Sequence, residues 1–147
     1  MAPVDSAKLR SHVDYVRANV RKLERLRESG RTQFPEDDMA QAAAARWLQT
    51  TIEAIIDMGN HIVAREGLGV PRAYSETMEI MLREGVLPDD RRDAFLAMVR
   101  FRNRVVHLYD KVFPDDIWNI IEGDLGDFDV FIEAIAARYF DPKSAPL

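Results

Sequence analysis

The chain of 147 residues contains no cysteine. A disulfide framework, a thiolate metal site and a cysteine nucleophile are therefore excluded, and the absence fits a reducing compartment. No run of 18 apolar residues occurs, so no membrane-spanning helix is expected. The amino-terminal MAPVDSAKLR lacks the apolar stretch of a signal peptide, which makes the cytoplasm the expected location. Nothing alternates apolar and polar residues as a half-buried strand would, and neither an internal repeat nor a low-complexity segment is present. Histidine is scarce: His12, His61 and His107 are the whole set, and no two of them have ligand spacing. A metal hydrolase is disfavoured on that ground, and neither metal nor cofactor is expected. The net charge of −5 argues against coating nucleic acid by bulk electrostatics, because such affinity scales with the phosphates neutralised.

What is present is ordinary globular material, 47% hydrophobic and 31% charged. A chain of this size buries about 68–70% of its unfolded surface, so one domain spanning 1–147 with a real core is expected. Arginine outnumbers lysine. Arg91, Arg92, Arg100, Arg102 and Arg104 fall within fourteen residues, a bias that suits either bidentate contacts to phosphate or carboxylate, or a solvated helix face.

The apolar positions predict helices throughout. Leu9, Val13, Val16, Val20 and Leu23 are spaced 4, 3, 4, 3, one helical face running over Ser6 to Arg27. A second helix is expected from about Asp38 to Glu66, either kinked slightly near Gly59 or spanning the whole bundle. After the loop GLGVPRAY, Ser75 is a candidate N-cap for a short helix stopped by Gly85. A fourth helix follows Pro88-Asp89-Asp90 to about Val112. Pro114 breaks it, Asp115 or Asp116 would cap the next, and that last helix continues to about Tyr139 with possible interruptions at Gly123 and Gly126. The expectation is an all-α, up-and-down bundle of four main helices plus one short one.

The fourth helix carries an anomaly. At 100° per residue, Phe95, Met98, Val99, Val105 and Val106 form one apolar stripe, and Arg102 and Tyr109 fall in its middle. A tyrosine tolerates burial. An arginine there costs several kcal/mol unless it is paired or meets an anion. Asn103, His107 and Asp110 edge the stripe at spacings that let neighbours touch. Two readings stand: a buried ion pair with an acid from a neighbouring helix, or a site in which Arg102 binds an oxyanion and His107 moves protons. On an ideal helix Arg102 and His107 point about 140° apart, so one straight helix does not bring them together.

On the second helix Arg46, Gln49, Thr50, Glu53, Asp57, Asn60 and His61 share one side, which reads as a solvated face. Glu53 and Asp57 are the acids best spaced to meet Arg102 or Arg104 if the two helices are neighbours. His12 is expected to be exposed and incidental.

The segment Arg102-Asn103-Arg104-Val105-Val106-His107-Leu108-Tyr109 resembles the R-x4-H-x-Y signature of the HepT-like branch of the HEPN superfamily, the toxin half of bacterial HEPN/MNT toxin–antitoxin pairs. The resemblance covers about residues 5 to 140: a long helix with Ile-Glu-Ala, a Gly-x-Pro loop, a short helix, then Arg-Asn with His-x-Tyr. It implies a HEPN-like homodimer with both motif helices lining a shared cleft, and a metal-independent endoribonuclease. In that reading Arg102 holds the scissile phosphate, His107 acts as general acid or base, and Asn103 positions the histidine or the phosphate, with Glu53, Asp57 and Arg104 in support. It also implies a nucleotidyltransferase antitoxin that in some pairs transfers AMP to the motif tyrosine, here Tyr109. The alternative is a non-catalytic HEPN module that binds a nucleotide or a partner protein through the same cleft.

Overall fold

In the computed structural model, residues 3–30, 32–107 and 114–140 are described. The Asp5 carboxylate accepts from the Lys8 backbone N–H at 3.1 Å, an N-cap that starts α1 (Ser6–Glu28). Its stripe of Leu9, Val13, Val16, Val20 and Leu23 is buried as the spacing predicts. A 3-10 turn at Phe34–Glu36 leads to Asp37, whose carboxylate caps α2 (Asp38–Arg65) in the same way. Then follow α3 (Tyr74–Arg83), α4 (Arg92–His107), entered by a 3-10 turn at Asp89–Arg91, α5 (Pro114–Gly123) and α6 (Gly126–Tyr139). No strand occurs among the described residues, and the architecture is an all-α helical bundle.

Helix α2 is the hub. It packs along α1 and also contacts α3, α4 and α5. Leu48, Ile52, Ile55, Ile56, Met58 and Ile62 on it are at most 2% exposed. Side chains of this kind contribute about 1.5–3 kcal/mol each when fully buried, so α2 supplies a large share of the bundle's cohesion. Phe95 of α4 and Phe131 of α6 meet edge to face at 5.9 Å, closing the far side of the core.

Two helix ends share one device. After α2 the Leu68 N–H reaches the Val63 carbonyl at 2.9 Å, and after α3 the Val86 N–H reaches that of Met81 at 2.9 Å. Between donor and helix sit Gly67 (φ 64°) and Gly85 (φ 74°), in the left-handed region that such a reversal requires. Gly85 therefore stops α3 as expected.

Several boundaries differ from the sequence expectation. Ser75 is not a cap: Ala73 occupies the N-cap without a side-chain hydrogen bond, and Ser75 lies in the first turn of α3. Asp115 and Asp116 are likewise in the first turn of α5, behind Pro114 as its first residue, where carboxylates face the positive helix end. The last expected helix is two, parted at Asp124-Leu125. The described part of α4 ends at His107, so the expected extension to Val112, with Tyr109 and Asp110, lies outside the described residues.

Gly59 has a different role from the expected kink. Helix α2 continues through it, and a Cβ there would stand 2.6 Å from Met81 Cε and 2.9 Å from Thr77 Cγ2 of α3. The missing side chain lets α3 seat directly on α2, and the Thr77 hydroxyl then donates to Asn60 Oδ1 at 2.6 Å, fixing the rotation of α3. The polar side of α2 is engaged in part, at Thr50, Glu53, Asn60 and His61, while Arg46 and Asp57 remain exposed as expected. Thr50 Oγ1 accepts from the Asn19 amide at 3.1 Å, and buried His61 accepts from the Asp5 backbone N–H through Nε2 at 2.9 Å.

Two tests follow from this packing. Gly59→Val should destabilise the fold by about 1–3 kcal/mol, read as a lowered thermal midpoint, since the stiff Thr77 methyl cannot yield; an unchanged midpoint would refute the close approach. Burial, and after it the charges of Lys8 and Arg65, hold His61 below its usual 6.5, against a smaller opposing pull from Asp5. The unfolded chain thus takes up this proton first. Stability from His61 is complete above pH 6.5 and is lost as pH falls from there through the folded value. Melts at about pH 7.5 and about pH 5.5 should show a larger acid loss for the wild type than for His61→Gln, whose amide oxygen can still accept.

Candidate functional site

The buried stripe of α4 is Phe95, Met98, Val99 and Phe101, while Val105 and Val106 are only half-buried. Just beyond it Arg102 lies against α2, its side chain 13% exposed. Its Nε and Nη2 donate to Glu53 Oε2 at 3.1 and 2.9 Å, and its Nη1 donates to Asn103 Oδ1 at 3.2 Å. The Tyr74 ring covers the guanidinium at 4.9 Å, a cation–π contact supplied by the first residue of α3. A guanidinium has five N–H donors, and three are held in this way, which leaves two for a ligand. The plane of the group is thereby set before any ligand arrives.

Glu53 is 33% exposed, so it keeps part of its hydration while neutralising Arg102. Of the two acids expected to meet the arginines, it is the one that reaches Arg102. Asp57, one turn later, instead faces His12 of α1, with Oδ2 4.0 Å from Nε2. His12 is less exposed than expected: its side chain is 25% exposed and its Nδ1 lies 3.1 Å from the Lys8 carbonyl oxygen. Arg104 donates to Asp116 Oδ2 of α5 at 3.0 Å, both side chains 40% exposed. Pairs that open to water contribute about 0–1 kcal/mol, so this contact orients α5 more than it stabilises it.

His107 is exposed at the end of the described α4. The geometry thus brings Arg102, Asn103 and Glu53 together, adds Tyr74, and leaves His107 facing solvent on another side of the helix. Asn103 has its amide oxygen on Arg102. Tyr109 lies outside the described residues. Tyr74 was not singled out from the sequence, because it directly follows a Gly/Pro loop; the available signal was its place three residues before Thr77, on the same face of α3. Among the described residues no group of three or more histidine or carboxylate side chains is arranged to hold a metal ion, and no helix is long and apolar enough to cross a membrane.

A family model, ribonuclease HepT-like, matches residues 16–135. The chain belongs to the HepT-like family. It is 30% identical over 107 residues to the mRNA nuclease HepT of Shewanella oneidensis, covering 73% of this chain and 80% of that protein. Among solved structures, the tri-AMPylated Shewanella oneidensis HEPN toxin in complex with MNT antitoxin superposes with a TM-score of 0.83 at 25% identity, covering 89% of this chain and 98% of that one. The cytosolic protein of unknown function YutE from Bacillus subtilis gives 0.82 at 19% identity, covering 100% and 98%, and shows the fold alone.

The HepT-like match spans Glu53, Tyr74, Arg102, Asn103, Arg104 and His107, whereas His12 falls before it. In this HepT-like chain the Arg102–Glu53 pair stands between the surface and buried cases. Exposed pairs contribute about 0–1 kcal/mol and breaking a buried one costs about 3–5. With Glu53 one-third exposed, Arg102→Ala should cost about 1–2 kcal/mol of stability. Melts of Arg102→Ala, Glu53→Gln and the double variant check it: independent, additive losses would contradict a direct pair.

Proposed function

We propose that the chain is the toxin of a HEPN/MNT toxin–antitoxin pair, a metal-independent endoribonuclease acting in the cytoplasm as a homodimer. The observation that carries the reading is the oriented guanidinium of Arg102, with two N–H donors uncommitted, on the same helix as an exposed histidine. The names of the relatives support it: one is an mRNA nuclease, and another is a HEPN toxin in complex with MNT antitoxin.

The chemistry runs through a ribose 2′-hydroxyl. A base removes its proton, the oxygen attacks the adjacent phosphorus, and the departing 5′-oxygen takes a proton from an acid, giving a 2′,3′-cyclic phosphate and a 5′-hydroxyl. Arg102 faces the charge that builds on the phosphoryl oxygens, and its preset plane means little reorganisation at that moment. His107 supplies the proton transfer, a contribution of typically 10²–10⁴-fold. Asn103 and Glu53 position Arg102. Because Arg102 and His107 diverge by about 140° on one helix, and because the reaction needs both an acid and a base, the working site takes its groups from both protomers. An MNT nucleotidyltransferase neutralises the toxin, and AMP on Tyr109, two residues beyond His107, adds charge and bulk where the RNA phosphate would sit. The structural neighbour with a tri-AMPylated toxin supports this mode of control.

The purified protein should cleave single-stranded RNA in EDTA and leave cyclic phosphate ends. His107→Ala should lose at least about 10²-fold of that activity and melt like the wild type, since His107 is exposed. Cleavage that survives the substitution would sink the assignment. A wild type that never cleaves but binds a nucleotide or a partner protein, with that binding lost in Arg102→Ala, would point to the non-catalytic HEPN module instead.

A further inference from the structure

Tyr74 has two unlike faces. One lies over the Arg102 guanidinium at 4.9 Å, yet the residue keeps 41% of its surface exposed, the largest exposure of any aromatic among the described residues save Tyr15 at 46%. The open ring thus stands beside an arginine whose side chain is only 13% exposed, where a second planar group could stack on it. We propose that the outward face of Tyr74 is a nucleobase-stacking subsite, seating the base next to the phosphate held by Arg102. This rests on the reading of Arg102 as a phosphate ligand and adds to it the part of the RNA that is recognised.

The platform is fixed in advance. The Arg72 backbone N–H donates to Glu76 Oε2 at 3.0 Å, which holds the start of α3. Three residues after Tyr74, on the same face, Thr77 is tied to Asn60 at 2.6 Å, and the absent side chain of Gly59 sets the depth at which α3 sits. A ring held from below loses little freedom when a base covers it, so most of the stacking energy appears as affinity. Base–aromatic stacking tolerates sequence, because every base has a π-face, but it needs a base that is not already stacked in a duplex. The substrate class is therefore RNA unpaired at the cleaved position, with a purine favoured over a pyrimidine by its larger face.

Calorimetric titration of the full chain with two probes tests the subsite. Guanosine 3′-monophosphate and ribose 5-phosphate both offer a phosphate to Arg102, but only the first offers a base to Tyr74. The wild type should prefer the nucleotide by roughly tenfold, the scale of one base–aromatic stack. Tyr74→Phe should keep that preference. Tyr74→Leu should reduce that preference to near unity, the nucleotide losing more affinity than ribose 5-phosphate, with Tyr74→Ser as the second variant should the leucine chain not fold. A preference that survives both substitutions, a wild type without preference, or an equal loss of both probes would overturn the proposal; the last would make Tyr74 only a cover for Arg102. The ribonuclease reading is judged separately, by cleavage of RNA in EDTA, so either can fail while the other stands.

Discussion

A guanidinium lodged between two core helices must meet a carboxylate, and that requirement organises the chain around Glu53 and Arg102. The pair joins the hub helix α2 to the motif helix α4 at 2.9 Å, and it sits where the buried stripe of α4 gives out. Glu53 accepts from both Nε and Nη2 through a single oxygen, so Arg102 is held on one side only. Asn103 steadies another edge. The charge is neutralised, and two N–H groups carry no hydrogen bond to Glu53 or Asn103. An apolar residue at position 102 would pack at least as well, which is why the pair is better read as an orienting device than as a source of stability.

The motif residues need opposite surroundings. In its proposed role as an anion ligand, Arg102 would gain strength from partial burial, because an electrostatic contact is worth more away from water. A proton-transfer histidine must instead be reachable by the substrate. One helix satisfies both demands by angular separation: five residues carry His107 out of the seam to an exposed position. The cost of that arrangement is that a single protomer would not bring the two groups onto one phosphate. In the proposed homodimer, a shared cleft between two copies would restore the missing proximity.

The core and the site are therefore one construction. Gly59 has no direct part in chemistry, yet its lack of a side chain brings α3 close enough for Tyr74 to cover Arg102. Thr77 and Asn60 set the rotation that aims the ring. Far from the motif, His61 and Asn19 tie α1 to α2 by hydrogen bonds in buried surroundings, so the polar residues of α2 knit neighbours together along much of its length.

The helical periodicity of α1, the length of α2, the stop at Gly85 and the R-x4-H pattern were all legible in the residues, because each depends on local spacing or local backbone conformation. The anomaly at Arg102 was legible too, since a wheel shows a charge in an apolar stripe without any knowledge of neighbours. Its partner was not. Glu53 and Asp57 are one turn apart and equivalent on the wheel, and only the packing of α2 against both α4 and α1 sends the first to Arg102 and the second to His12. The same holds for Tyr74, which belongs to the site only because Gly59 draws α3 inward, and for Ser75, whose capping promise gave way to Ala73 at the start of α3. Local rules determined which segments are helices and which residue was out of place. Long-range packing decided what that residue touches, because a contact between positions 53, 74 and 102 exists only once three helices share one seam.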